Sequence, residues 1–333
     1  MPHQRKTSRC VAPRRRRKNF LLLQICAASL GMVGFLAGCG RGRPEATAAA
    51  STEPAPSVEF VEQWGEAGDN PGQLNQPAGL AVDSAGRVYL ASRGTGFLEK
   101  FEASGVPLLT FADGSIRGAA GVAVDSGGAI YTADARAGTL SVFFPEGGLI
   151  RVLRFPPQRA FSGPYAFSVN VEGSIILPDP EGGRVEVLDS HGRLERSLRL
   201  PLDAAGKPAH PVAAMAGPGD FVYVADARSD RIVKFSRSGE VAGSWGDSGD
   251  AVAAVRGLAV SQKYVFVLRG TSPCLEAWTL DGQRAFADDL GGRWNPAPAD
   301  AAAAIATDGA GDLYVLDSAV PRVLHFRIHG DSP

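Results

Sequence analysis

VYVADARSDRIVKF, residues 222–235, consists of two short apolar runs separated by a polar turn, the pattern of a β-hairpin. It recurs as VYLASRGTGFLEKF from Val88, IYTADARAGTLSVF from Ile130, IILPDPEGGRVEVL from Ile175, VFVLRGTSPCLEAW from Val265 and LYVLDSAVPRVLHF from Leu313. Successive starts lie 42, 45, 47, 43 and 48 residues apart, a period that marks a repeat architecture.

The surrounding sequence supplies the rest of each unit. Most of the hairpins follow a run of small and β-branched residues ending in Asp-x-x-Gly: Gly79 to Gly86, Gly121 to Gly128, and Ala304 to Gly311. Small side chains suit the crowded centre of a radial assembly, and the Asp and Gly close a turn. A fourth strand follows most hairpins, as from Ser104-Gly105 to Phe111 and from Ser238-Gly239 to Trp245. The expected fold is therefore all-β: a six-bladed β-propeller of four-stranded antiparallel blades. The last repeat stops after its third strand, whereas Val58 to Trp64 is a strand with nothing before it, so pairing the two should close the ring. Residues 58–333 number 276, or 46 per blade.

The first 38 residues differ in kind. Arg5, Lys6, Arg9, Arg14, Arg15, Arg16, Arg17 and Lys18 precede the apolar stretch Phe20 to Gly38. Its end, Leu36-Ala37-Gly38-Cys39, resembles the lipobox of bacterial lipoproteins, which implies cleavage before Cys39 and lipidation of its thiol. Arg16-Arg17-Lys18-Asn19-Phe20-Leu21 partly resembles a twin-arginine signal, with the spacing to Phe20 one residue longer; general and twin-arginine export both stay open. The expected domains are a signal peptide (1–38), the lipidated Cys39 with a flexible Pro-containing tether (39–57), and the propeller (58–333). The expected location is the bacterial cell envelope, anchored by lipid and facing the periplasm or exterior.

Removing the leader takes away eight cationic and no acidic residues, leaving 26 Lys and Arg against 35 Asp and Glu, a net of −9. An acidic body is repelled by nucleic acid and by anionic lipid, so the acyl chains are the expected membrane contact. Of Cys10, Cys26, Cys39 and Cys274, only Cys274 stays an unmodified thiol in the mature chain, so packing rather than a disulfide must stabilise an expected monomer.

Gln73 to Asp83 with Gly86-Arg87-Val88-Tyr89 resembles the start of an NHL repeat, and Tyr223 to Asp226 with Arg231 to Phe235 resembles its second half. The likeness covers residues 58–333 and is eroded in the third repeat, at Pro178-Asp179-Pro180, and in the fifth, where Arg269 replaces the turn Asp. It implies that ligands and partner proteins bind around one mouth of the central channel. Aligning the repeats puts Gln76, Gly118, Gly163 and His210 at equivalent entries to that mouth, with Arg117, Tyr165 and Arg256 close by. Such a patch can hold a carboxylate, a peptide terminus or a sugar. Asp134, Asp179, Asp226 and Asp317 are expected to accept hydrogen bonds from their own turns and to pair with Arg184, Arg231 and Arg322 where these occur.

The function expected is binding or scaffolding of an envelope protein, peptide or glycan, with no catalytic residue and no metal ligand assigned. The alternative is a calcium-dependent propeller hydrolase or lyase, lactonase-like or amidating-lyase-like, since Asp and backbone oxygens suit a hard cation. His191 falls in an outer turn and His325 and His329 on the last strand, leaving only His210 for the mouth, which argues against His-bound zinc. No Gly-x-Ser-x-Gly elbow or phosphate-binding loop occurs.

Overall fold

The computed structural model describes residues 56–111, 116, 118–134, 137–155, 166–246, 255–272, 274–293 and 303–330. The leader, Cys39 and the tether up to residue 55 lie outside the described residues.

Six four-stranded antiparallel sheets form the blades. The chain first lays down β1 (Ser57–Trp64), which belongs to the last blade. Blade one is β2 (Pro77–Val82), β3 (Val88–Ser92), β4 (Leu98–Phe101) and β5 (Pro107–Phe111). Blade two is β6 (Ala119–Val124), β7 (Ile130–Asp134), β8 (Thr139–Phe143) and β9 (Leu149–Arg154). Blade three is β10 (Ser168–Val169), β11 (Ile175–Asp179), β12 (Arg184–Leu188) and β13 (Leu194–Arg199). Blade four is β14 (Pro211–Gly217), β15 (Phe221–Asp226), β16 (Arg231–Phe235) and β17 (Val241–Trp245). Blade five is β18 (Val255–Val260), β19 (Tyr264–Arg269), β20 (Leu275–Thr279) and β21 (Arg284–Asp288). Blade six is β22 (Ala303–Thr307), β23 (Asp312–Asp317) and β24 (Arg322–His329), completed by β1.

The expected closure is present. β1 runs antiparallel to β24 from Ser57 opposite His329 to Trp64 opposite Val323, with a bulge between Phe60 and Glu62. It starts one residue earlier than the sequence suggests.

Six hydrophobic clusters, one at each blade-to-blade interface, do the work of a single core. The inner strands explain the small residues near the axis. A Cβ on Gly79 would stand 2.7 Å from the backbone nitrogen of Val122 in the next inner strand, and one on Gly257 would stand 2.9 Å from Ile305 Cγ2. Farther out, a side chain on one blade's last strand packs over the turn glycine of the next: Phe111 over Gly147, Leu153 over Gly192, Leu198 over Gly239, Trp245 over Gly282 and, across the closure, Trp64 over Gly105.

Candidate functional site

Antiparallel order puts the loops entering each inner strand, and the turns between second and third strands, on one face of the ring, the upper face. The turns between first and second strands and between third and fourth strands form the lower face.

Gln76 and His210 sit where the repeat alignment puts them, one residue before β2 and one before β14. Gln76 is exposed with φ 50°, and its carbonyl accepts from Arg93 N at 3.1 Å. The His210 carbonyl accepts from Ala227 N at 3.0 Å, so each residue ties its entry loop to the neighbouring hairpin turn. Blades one and four are opposite in a six-blade ring, so these residues stand on opposite sides of the mouth. Arg256 lies deeper, at the bulge between Val255 and Gly257, and its Nε would be 3.0 Å from a Cβ on Gly270 in the upper turn of its blade. A bulge re-aims the side chain it carries, and the bare Gly270 leaves room for the guanidinium. Arg117, Tyr165 and Gly163 lie outside the described residues.

The turn aspartates behave as their spacing suggests. Asp134 accepts from Gly118 N at 3.1 Å and Ala137 N at 2.9 Å. Asp226 accepts from His210 N at 2.8 Å, Arg228 N at 3.1 Å and Arg231 Nε at 3.2 Å. Asp317 takes Ala319 N and Val320 N at 3.1 Å and Arg322 Nη2 at 3.1 Å, and Asp179 takes Gly182 N at 2.9 Å and Arg184 Nη2 at 3.0 Å. These four carboxylates are committed to backbone and arginine, which leaves little lone-pair capacity for a ligand.

Two upper turns differ from that pattern. In blade one Ser92 stands at the aspartate position and donates through Oγ to Glu99 Oε2 at 3.1 Å, while Gly72 N donates to Oε1 at 2.9 Å. Burial pushes the Glu99 carboxyl above its usual range, opposed by those two donors. Its folded pKa being the higher, its stabilising contribution is complete below the unfolded value of about 4.3 and is lost as pH rises through the folded value. Glu99→Gln keeps an acceptor for Gly72 without a titrating group. Wild type minus variant stability, from urea melts between pH 4 and pH 8, is expected to fall as pH rises; a flat difference would contradict the assignment.

In blade five the erosion read from Arg269 is a charge swap rather than a loss. Arg269 Nη1 donates to Asp230 Oδ2 on the neighbouring blade, and Nε donates to Glu276 Oε2 at 2.8 Å. Burial pulls the guanidinium pKa down, yet hydrogen bonds and charge from Asp230 and Glu276 hold it above its ordinary value.

Along the axis lies a cavity of about 120 Å³, its walls largely aliphatic, among them Leu80, Val124, Val169, Met215 and Ile305, with hydroxyls at Ser168 and Thr307. No carboxylate lines it, so a calcium ion has no charged ligand there. Among the described residues no group of three His, Cys, Asp or Glu could hold a metal. Burial pushes the Cys274 thiol up to about 11, which makes it a packing residue and not a nucleophile.

No protein-family model matches the chain, and no curated protein matches its sequence. Among solved structures it is similar to a streptogramin B lyase, with TM-score 0.56 and 17% identity over 82% of this chain and 87% of that one. It is also similar to virginiamycin B lyase from Staphylococcus aureus, solved as a catalytically inactive variant with quinupristin, with TM-score 0.58 and 13% identity over 82% and 99% of the two chains. At these identities the likeness is one of fold: a six-bladed propeller.

Proposed function

We propose that the chain is an NHL-like binding propeller of the bacterial cell envelope, anchored through lipid on Cys39, that holds a protein, peptide or glycan across its upper mouth. The observation that carries this reading is that Asp134, Asp179, Asp226 and Asp317 are committed to their own turns. The side chains the mouth presents to a ligand are Gln76 and His210 on opposite sides, Arg256 at its bulge, and Arg117 and Tyr165 from the sequence alignment, which supply hydrogen bonding and positive charge. Groups set across a mouth suit an elongated ligand better than a small one converging on a point. The monomeric body, with its net charge of −9, stays off anionic surfaces, and two or more acyl chains give stable anchoring.

Two experiments test this. Labelling growing cells with radioactive palmitate is expected to mark the wild-type chain, while Cys39→Ser abolishes the label and releases the chain from the membrane fraction. Crosslinking in intact cells is expected to capture a specific envelope component with the wild type and to lose it with His210→Ala combined with Arg256→Ala. Capture unchanged in that double variant would reject the upper mouth.

The second reading, a calcium-dependent hydrolase or lyase, draws support from the lyases that share the fold. The aliphatic axial cavity disfavours it. Stoichiometric calcium surviving dialysis, with turnover of lactone or ester probes, would establish it in place of the first.

A further inference from the structure

On the lower face, beside the axis, a second cavity of about 390 Å³ lies between blades three and four, lined also by Val260 to Gln262 of blade five and Gly309 of blade six. It arises where the repeat departs most from itself. β10 has only two residues, against six in β2, β6 and β18, and Ser168 ties it to blade four by donating to Ala214 O at 3.1 Å and accepting from Ala216 N at 2.8 Å. β14 has seven residues and runs into Pro218-Gly219-Asp220, where Gly219 (φ 72°) and Asp220 (φ 60°) are both left-handed. A left-handed non-glycine residue is strained, and such strain collects at functional sites.

The strained turn delivers Asp220 to Arg237. Arg237 donates through Nη1 to Asp220 Oδ2 at 2.7 Å and through Nη2 to Glu172 Oε1 of blade three at 2.8 Å. Arg196 Nη1 donates to the Arg237 carbonyl at 2.8 Å, and its Nε is buried without a hydrogen-bond partner. Glu195 accepts from Ser174 Oγ at 3.3 Å. Ile176, Val222 and Val260 supply an apolar wall.

From this geometry we infer that the lower cavity is a binding site for a neutral saccharide of one or two sugar rings. Arg237 already holds two carboxylates, so an anion would have to displace one of them, and Glu172, Glu195 and Asp220 against Arg196 and Arg237 leave no surplus of positive charge to draw it in. A hydroxyl needs neither, because it accepts from guanidinium N–H groups and donates to carboxylate lone pairs still open. The apolar wall suits the C–H face of a sugar ring, and the volume falls within the range of small-molecule pockets. This site lies on the face opposite the proposed upper mouth and does not depend on it.

The test uses the full chain in a sugar-free detergent and saturation-transfer NMR. The probes are glucose, N-acetylglucosamine and the β1,4-linked disaccharide of each. At least one is expected to bind, at least tenfold more weakly in Arg237→Gln and unchanged in Arg154→Gln, an exposed arginine of blade two outside the lining. Arg237 is exposed at the rim, so its variant should melt with the wild type. If it does not, Gln262→Ala, an exposed residue of the same lining, serves and is expected to weaken the same probe. Binding of none of the four overturns the inference, as does binding that Arg237→Gln leaves unchanged or that Arg154→Gln weakens equally. Inorganic phosphate binding in an Arg237-dependent way and displacing the sugar would make this an anion site and would also overturn it.

Discussion

Trp64→Ala is expected to unfasten the ring. β1 is held to β24 by main-chain pairing, and Trp64 is the β1 side chain that packs into the cluster where Tyr314, Leu316 and Val323 of blade six meet blade one. Its Nε1 donates to Ala103 O at 3.0 Å, and its ring lies 4.9 Å from that of Phe101. It rests on Gly105, whose φ of 82° already disfavours a side chain and whose Cβ would collide with the indole. Truncating a packed aromatic costs about 3 kcal/mol or more, a large part of a typical stability of about 5–15 kcal/mol. Phe111→Ala is the control, because Phe111 packs on Gly147 in the same way but between blades already joined through the chain. Both variants should lower the urea midpoint. Only Trp64→Ala should also open a protease site within residues 56–64 and promote aggregation through the uncovered edge of β24. Gly105→Ala should reproduce this from the other side. A Trp64→Ala chain no less stable than Phe111→Ala, with no new cleavage, would show that the β1–β24 ladder closes the ring unaided.

The closure was legible from sequence because each blade is a local unit whose apolar runs and turns lie within about fifty residues. Val58 to Trp64 resembles the fourth-strand sequence Val241 to Trp245, and it takes that fourth-strand place beside β24. The turn aspartates were legible for the same reason: Asp226 and Arg231 are five residues apart and meet within one hairpin. Contacts between blades were not. Asp230 and Arg269 are 39 residues apart, and an alignment of repeats compares each residue with its counterpart, not with its neighbour on the next blade. So Arg269 read as a lost aspartate although its acid is supplied next door. The lower cavity was hidden for a related reason. A shortened β10 and a lengthened β14 look like weak copies of the repeat, and only the backbone conformation at Gly219 and Asp220 shows that the departure brings charges together. At the upper mouth Gln76 and His210 each stand one residue before an inner strand, as the repeats align them, whereas the bulge that carries Arg256 is not visible in an alignment of repeats.

Arg269→Met should be the most damaging single change on the upper face, because it breaks a buried ion pair on one side only. Arg269, Asp230 and Glu276 are all less than a tenth exposed. Glu276 keeps Arg284 Nη2 at 3.3 Å and the Trp278 indole N–H at 3.3 Å, so what the variant removes is the guanidinium shared with Asp230 across the blade interface. Leaving a buried carboxylate without its cation costs about 3–5 kcal/mol, whereas neutralising both members of a pair is often nearly neutral. Adding Asp230→Asn to Arg269→Met should therefore restore more than half of the lost stability, and the cycle of the two changes measures their coupling. Arg269→Lys should fall between, since an ammonium is a point charge and cannot reproduce the fork that reaches both carboxylates. The swap also bears on binding. Gly270 follows Arg269 directly and makes the space in which the Arg256 guanidinium lies, so loosening this turn should weaken crosslinking at the mouth more than an equal loss of stability at Phe111 does. A single variant as stable as wild type, or a double variant that recovers nothing, would mean that blades four and five hold together by their hydrophobic interface alone.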